Sequence, residues 1–223
     1  MEGMLTTKEL TECLFKIMKG DASPGCDGFT VNHLRVFWDD LKHLTTDALN
    51  CSFGNTLTSS LQKAIVKLLR KGTKDPTLPG NYRPISLLSI FYKLASCAIT
   101  QRIKPAVQTI IGRQQKAYLQ HNNIGSCIIN LINLIKHTAK TKQAGLILLI
   151  DFKKAFDSIS HTFIENALKI LGFGPDIIGW IKTFLKNRDA QVILGGHLTD
   201  CINLEQGVPQ GDIIFSYSWL RYS

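Results

Sequence analysis

The stretch Leu146-Ile147-Leu148-Leu149-Ile150-Asp151-Phe152-Lys153-Lys154-Ala155-Phe156-Asp157 is an apolar run that stops abruptly on a carboxylate followed, after one residue, by two lysines. Consecutive branched aliphatic residues without polar alternation predict a strand buried on both faces, with Asp151 emerging at its C-terminal end. An acid inside such a run would be costly to bury, whereas one at the strand exit can hold a metal ion or receive a proton. The same acid can instead cap the helix that follows, and both readings stand on this segment alone.

Upstream, Leu10, Leu14, Ile17 and Met18 share one face and predict a helix over 7–19, stopped by Gly20 and the Ser23-Pro24-Gly25 turn. Asp27-Gly28 reads as a turn before a second helix carrying Leu34, Phe37, Trp38 and Leu41. Residues 64–69 read as a short strand, followed by a basic loop, Arg70-Lys71-Gly72-Thr73-Lys74-Asp75-Pro76. A helix over 87–103 is expected to break at Pro105, and one over 124–137 is expected to send Ile128, Leu131, Ile132 and Ile135 into the core. Downstream, Ile159, Phe163, Ala167 and Ile170 recur at helical spacing, Gly172 supplies a stop, and Pro175 starts a further helix with Ile177, Ile181 and Phe184. Gln191 to Leu194, the Gly195-Gly196 pair and 198–204 predict a hairpin.

With 223 residues, 44% of them hydrophobic and 19% charged, the chain can bury a sizeable core and does not have the composition of a disordered tail. A formal net charge of +9, spread along the sequence, favours a polyanionic partner such as nucleic acid. The cysteines (Cys13, Cys26, Cys51, Cys97, Cys127 and Cys201) form no C-x-x-C pair and have no histidine at zinc-ligand spacing, so they are expected reduced and buried, without disulfide partners. No apolar run is long enough to cross a bilayer and the N-terminus lacks a signal-peptide core, so an intracellular setting is expected, in cytoplasm or nucleus.

Three blocks carry the functional reading: Asn81-Tyr82-Arg83-Pro84-Ile85-Ser86-Leu87-Leu88, the Asp151 block, and Gln206-Gly207-Val208-Pro209-Gln210-Gly211-Asp212. In order and rough spacing they resemble the reverse transcriptases of non-long-terminal-repeat (LINE-type) retrotransposons. Ser23-Pro24-Gly25-Cys26-Asp27-Gly28-Phe29-Thr30 looks like that family's most N-terminal block. The resemblance implies an α+β fold, helix-rich, with fingers over 1–145 and a partial palm over 146–223, a small antiparallel sheet packed on helices. It implies an RNA template, a DNA primer, deoxynucleotides and Mg²⁺. Asp151 would be the catalytic carboxylate and, with the backbone carbonyl of Phe152, a metal ligand, because nucleotidyl transfer needs an oxygen-rich cradle for hard cations.

By the same resemblance, Phe156 would pack beneath the incoming sugar and reject a 2′-hydroxyl, although a core aromatic fits that position too. Asp157, from the recurring Ala-Phe-Asp triplet, takes a capping role. Gln210 and Gly211 would contact the incoming nucleotide, and Arg83 its triphosphate, where a guanidinium fork engages two oxygens. Lys93, Lys71 and Gln115 are the nucleic-acid candidates; Arg83, Lys93 and Lys71 can equally be solvated surface charge. His121-Asn122 stands where the family commonly shows Gly-Arg, which weakens the template contact expected there.

The family's aromatic-x-Asp-Asp hairpin has no counterpart after Gln210. The sequence's Asp39-Asp40 lies beside Trp38, in a predicted helix. The expectation is therefore a C-terminally truncated copy, catalytically incompetent alone and poorly soluble because an apolar strand edge is left uncovered. A non-catalytic RNA or primer-template binding module is the alternative. A third reading, a strand-end acid of an α/β phosphotransferase, wants a second acid where Lys153 stands. Endonuclease, RNase H and zinc-knuckle segments are not seen in these residues.

Overall fold

In the computed structural model, residues 2–110, 124–151 and 157–209 are described. Helices come first: α1 (Thr7–Glu12) runs directly into a π-helical turn, Cys13–Ile17, and is followed by α2 (Val31–Val36), α3 (Trp38–Cys51) and α4 (Ser59–Gln62). Then β1 (Ala64–Arg70) and β2 (Tyr82–Leu87) lead into the long α5 (Ile90–Ile110). Beyond lie α6 (Ile124–Thr141), α7 (His161–Ile170), α8 (Pro175–Leu185), β3 (Arg188–Leu194), β4 (His197–Leu198) and β5 (Ile202–Leu204). The class is the expected helix-rich α+β arrangement with a small sheet.

That sheet is mixed, not wholly antiparallel. β1 pairs antiparallel with β2, in register Val66 to Ser86, and parallel with β3, in register Ala64 to Ala190. β3 also pairs antiparallel with β4 and β5. The sheet therefore unites strands from both sides of residue 145. A parallel pair needs a long crossover, supplied here by everything between β2 and β3.

The core lies where α5 and α8 meet behind the N-terminal helices. Trp180 and Phe184 stack at 6.1 Å between ring centroids, with Phe53 5.1 Å from Trp180 and Tyr92 5.1 Å from Phe184. Such tilted and edge-on contacts add to the apolar area these large rings remove from water. As expected, Ile177, Ile181 and Phe184 face inward, and Pro175 opens α8.

Several sequence expectations need correction. Residues 146–150 form no strand and are exposed, Leu146 by 92%: a strand exists only with a ladder partner, and no described strand lies beside them. The apolar face of α6, including Ile128, Leu131, Ile132 and Ile135, is likewise exposed instead of buried. Helix α5 continues through Pro105 to Ile110, because Ile103 and Val107 are buried on either side of the proline and keep the last turn docked. The second predicted helix is split at Phe37, which is exposed, and α7 buries Ile164, Ala167 and Leu168 while Phe163 and Ile170 face out. Cys13 and Cys97 are buried, but Cys26, Cys51, Cys127 and Cys201 are exposed; none of the six is in a disulfide.

Charged groups tie the first residues to the core. Glu2 Oε2 accepts from the Asp176 N–H at 2.7 Å, and Asp176 Oδ2 accepts from the Gly3 N–H at 2.7 Å, closing a reciprocal clasp on the start of α8. Arg102 donates to both Glu9 carboxylate oxygens at 2.6 and 2.7 Å and to the carbonyls of Gly3 and Met4. Burial disfavours the charged form of Glu9, but the hydrogen bonds from Arg102 and from the Thr6 hydroxyl and N–H, with the Arg102 charge, outweigh it and lower the pKa to about 2.

This contribution is complete above the ordinary value of 4.5 and is lost as pH falls through about 2. With the Glu9 side chain 32% exposed, it is worth about 1–2 kcal/mol once solvent screening is allowed for. Glu9→Gln should therefore lower the urea midpoint relative to wild type at pH 6, and the gap should close near pH 2. A constant gap across that range would mean the ion pair does not set the titration.

Candidate nucleic-acid and nucleotide site

The sequence blocks are brought together in pairs. The turn Ser23-Pro24-Gly25-Cys26-Asp27-Gly28 seats on the end of β2 and the start of α5. Asp27 Oδ2 accepts from the Ile90 N–H at 3.0 Å, satisfying one of the helix's orphan donors, and its Oδ1 accepts from Phe29 N–H at 3.3 Å. Lys93 Nζ donates to the Ser23 carbonyl at 2.8 Å, and burial pushes its pKa down against the opposing pull of the Asp27 carboxylate. Lys93 is thus engaged in holding this turn.

The second pairing joins the chain after Phe156 to the chain before Gln210. Gly207 N–H donates to the Ile159 carbonyl at 2.8 Å, Ser160 and Gln206 form an isolated antiparallel bridge, and His161 Nε2 donates to the Gly207 carbonyl at 3.0 Å. Gly207 has φ +79°, and a Cβ there would meet the backbone of Asp157 at 2.9 Å. The close approach therefore requires glycine.

Between these segments and one face of the sheet lies an open cavity of about 760 Å³. Val66, Pro84, Ser86, Arg188 and Ala190 supply the sheet side; Asp157, Ser160 and 203–209 supply the rest. Its size is that of a small-ligand or nucleotide pocket. Successive strand residues point to opposite faces, and Arg83 pairs with Leu69 whereas Pro84 pairs with Leu68. Arg83 therefore belongs to the sheet face away from the cavity, with Lys67 and Ile65, and is exposed. Lys71 Nζ donates to the Gly80 carbonyl at 2.9 Å and holds the β1–β2 connection closed.

Asp151 is exposed at the end of 146–150. Phe152, Phe156, Gln210, Gly211 and Gln115 lie outside the described residues. Among the described residues, no three His, Cys, Asp or Glu side chains group closely enough to hold a metal ion. The described donors therefore do not assemble the two-cation cradle implied by the family resemblance. Sequence reading missed Arg188, which lines the cavity at 1% exposure. Its only signal was the period-two set Arg188, Ala190, Val192 ahead of the expected hairpin start at Gln191.

Comparison with known proteins places the chain in a family. Residues 69–222 match the family "Reverse transcriptase (RNA-dependent DNA polymerase)". The chain is 31% identical over 216 residues to the transposon TX1 uncharacterized 149 kDa protein of Xenopus laevis, covering 95% of this chain and 16% of that protein. It is 27% identical over 209 residues to the Pol polyprotein from the type-1 retrotransposable element R2 of Popillia japonica, covering 92% and 28%. It is 27% identical over 156 residues to the RNA-directed DNA polymerase from mobile element jockey of Drosophila melanogaster, covering 69% and 17%. The chain thus spans less than a third of the length of each of these relatives. With the family model matching more than half of its length, the chain belongs to the reverse transcriptase family, and its place there is with the non-long-terminal-repeat retrotransposon enzymes.

Proposed function

We propose that these residues are the fingers and the first part of the palm of an RNA-directed DNA polymerase, binding RNA template, DNA primer and deoxynucleotides, and that the 223-residue chain alone does not polymerise. The observation that carries the reading is the docking of 157–161 against 206–209 over the sheet, which joins two family blocks at one cavity. On this reading 1–145 are fingers and 146–223 palm, with the sheet shared between them. Asp151 is the catalytic carboxylate, Phe156, Gln210, Gly211 and Arg83 serve the nucleotide, and Lys71, Lys93 and Gln115 serve the strand. Mg²⁺ belongs to the reading as the charge-neutralising partner of Asp151 and the Phe152 carbonyl.

One carboxylate and one carbonyl hold a hard cation poorly, and no Asp-Asp pair follows Gln210 in these 223 residues. Primer extension on a poly(A) template with Mg²⁺ and deoxynucleotides should therefore give no product, from either wild type or Asp151→Ala. Extension by wild type that is lost in the variant would overturn the inactivity and show that the missing ligands come from elsewhere. The net charge of +9 also favours a second reading, a non-catalytic module that binds RNA or primer-template. Steep salt dependence of binding without extension would support it. An intracellular setting, with free thiols, goes with either reading; among the described residues no helix is long and apolar enough to cross a membrane.

A further inference from the structure

Residues 72–80 of the β1–β2 connection are exposed without interruption. Most of the connection is nonetheless tied down. The Lys71 N–H donates to the Asn81 carbonyl at 2.8 Å, the Asn81 side-chain amide to the Asp75 carbonyl at 3.0 Å, and the Tyr82 hydroxyl to the Pro76 carbonyl at 2.9 Å. Between those anchors 72–74 stands out as a small turn, with Gly72 at φ +60°. It is held by the Gly72 N–H on the Arg70 carbonyl at 3.1 Å and the Lys74 N–H on the Lys71 carbonyl at 3.4 Å. The two threonines of the connection differ. Thr77 donates its hydroxyl to Asp75 Oδ1 at 2.7 Å, beside its own N–H at 2.9 Å. Thr73, in the outer turn, is exposed, and its hydroxyl bonds to no other described residue. Arg70 and Lys71 stand three and two residues ahead of it, and Arg70 is exposed as well.

We propose that Thr73 is a phosphorylation site for a basophilic protein kinase and that its phosphate releases this loop from RNA; the second half rests on the strand-binding role given to Lys71 in the polymerase reading above. A kinase with carboxylates along its substrate groove selects an acceptor by the cations that precede it, and a guanidinium fork suits such carboxylates. The outer turn, held by two long backbone bonds, opens into an extended substrate at little cost, whereas Thr77 has its hydroxyl engaged. The step takes the γ-phosphoryl group of magnesium ATP. A bond forms between the Thr73 oxygen and the γ-phosphorus, the bond from that phosphorus to the β,γ-bridging oxygen breaks, ADP leaves, and the hydroxyl proton passes to the catalytic aspartate of the kinase. The residues that recruit the kinase also give the phosphate its effect. Segment 70–76 sets Arg70, Lys71 and Lys74 against the single carboxylate of Asp75. A phosphate carrying a charge of about −1.5 to −2 cancels most of that surplus and draws the neighbouring cations onto its own oxygens. A segment without net charge releases few counterions from an RNA backbone.

The test incubates the full folded chain with magnesium ATP and the catalytic subunit of cyclic-AMP-dependent protein kinase, locates phosphate by peptide mass spectrometry, and then measures binding of a fluorescently labelled single-stranded oligo(A) RNA. Wild type and Thr77→Ala should take up phosphate at Thr73, Thr73→Ala should take up none in this loop, and Arg70→Ala should slow the uptake about tenfold. The phosphorylated chain should bind the RNA about tenfold more weakly, with the slope of log K against log salt reduced by about 1.4, and phosphatase treatment should restore both. Thr73→Ala should bind as the unmodified wild type does before and after kinase treatment, which separates loss of the hydroxyl from gain of the phosphate. Uptake at Thr77 instead of Thr73, or at Thr73 only in urea-unfolded chain, would overturn the site. Stoichiometric phosphate at Thr73 with unchanged RNA binding would overturn the release while leaving the polymerase reading intact. Failure of the unmodified chain to bind RNA would overturn that reading and the release together, and the site would still be decided by the position of the phosphate.

Discussion

Gly25→Ala should cost about 4 kcal/mol of folding stability, the largest loss expected from adding a single methyl group at any of the described glycines. A Cβ at this position would lie 2.4 Å from the Leu88 carbonyl carbon and 2.5 Å from both the Leu88 oxygen and the Ser89 nitrogen. These are backbone atoms at the junction of β2 and α5, so no side chain can rotate away to make room. The 23–28 turn must lift, and lifting it withdraws the Asp27 carboxylate from the Ile90 N–H and Lys93 from the Ser23 carbonyl. Urea denaturation measures the outcome: the midpoint should fall with the slope unchanged, as for a loss of native-state stability. An unchanged midpoint would mean that the turn is not seated on Leu88 and Ser89.

Gly207→Ala should cost about 3 kcal/mol and should also distort the cavity. Two separate penalties combine there. The backbone has φ +79°, in the left-handed region, and the added carbon would press on the Asp157 backbone at 2.9 to 3.1 Å. Gly196 provides the control: its φ is +85°, but nothing lies within 4 Å of a Cβ there. Gly196→Ala therefore carries the conformational penalty alone, about 1 kcal/mol. Thermal melts of the two variants separate close approach from dihedral strain. Equal losses would remove the contact between 206–209 and Asp157 from the account, and with it the reason for placing the two family blocks at one cavity.

How far the sequence could be read depended on whether a residue's surroundings are local. The start of α8 at Pro175, its inward Ile177, Ile181 and Phe184, and the glycine turn after β3 follow from neighbours a few positions away, and all appear in the structure. Residues 146–150 carry strand composition but need a ladder that nothing nearby in sequence supplies. In α7, two overlapping apolar stripes exist, and only packing against α8 selects the one through Ile164, Ala167 and Leu168. The continuation past Pro105 is likewise decided by the burial of Val107, not by the proline.

The candidate site divides in the same way. The family blocks pointed to the neighbourhood of Asp157 and of 206–209, whose docking the structure then displays. They did not indicate that Arg83 shares a face with Lys67, which depends on the β1–β2 register. Nor did they find Arg188, since a lone arginine at a strand start has no pattern; its burial beside the cavity shows only in the fold.

The parallel pairing of β1 with β3 also bears on how the molecule is made. Ribosomes deliver residues in order, at about 5–20 per second, so roughly a hundred residues and several seconds to tens of seconds separate the appearance of the two strands. Throughout that interval β1 can close its hairpin with β2, but its other edge waits open for a partner still unsynthesised. A nascent chain stalled before residue 188 would hold that edge exposed, and translation speed across α7 and α8 therefore sets how long the growing polypeptide is open to mispairing with its neighbours.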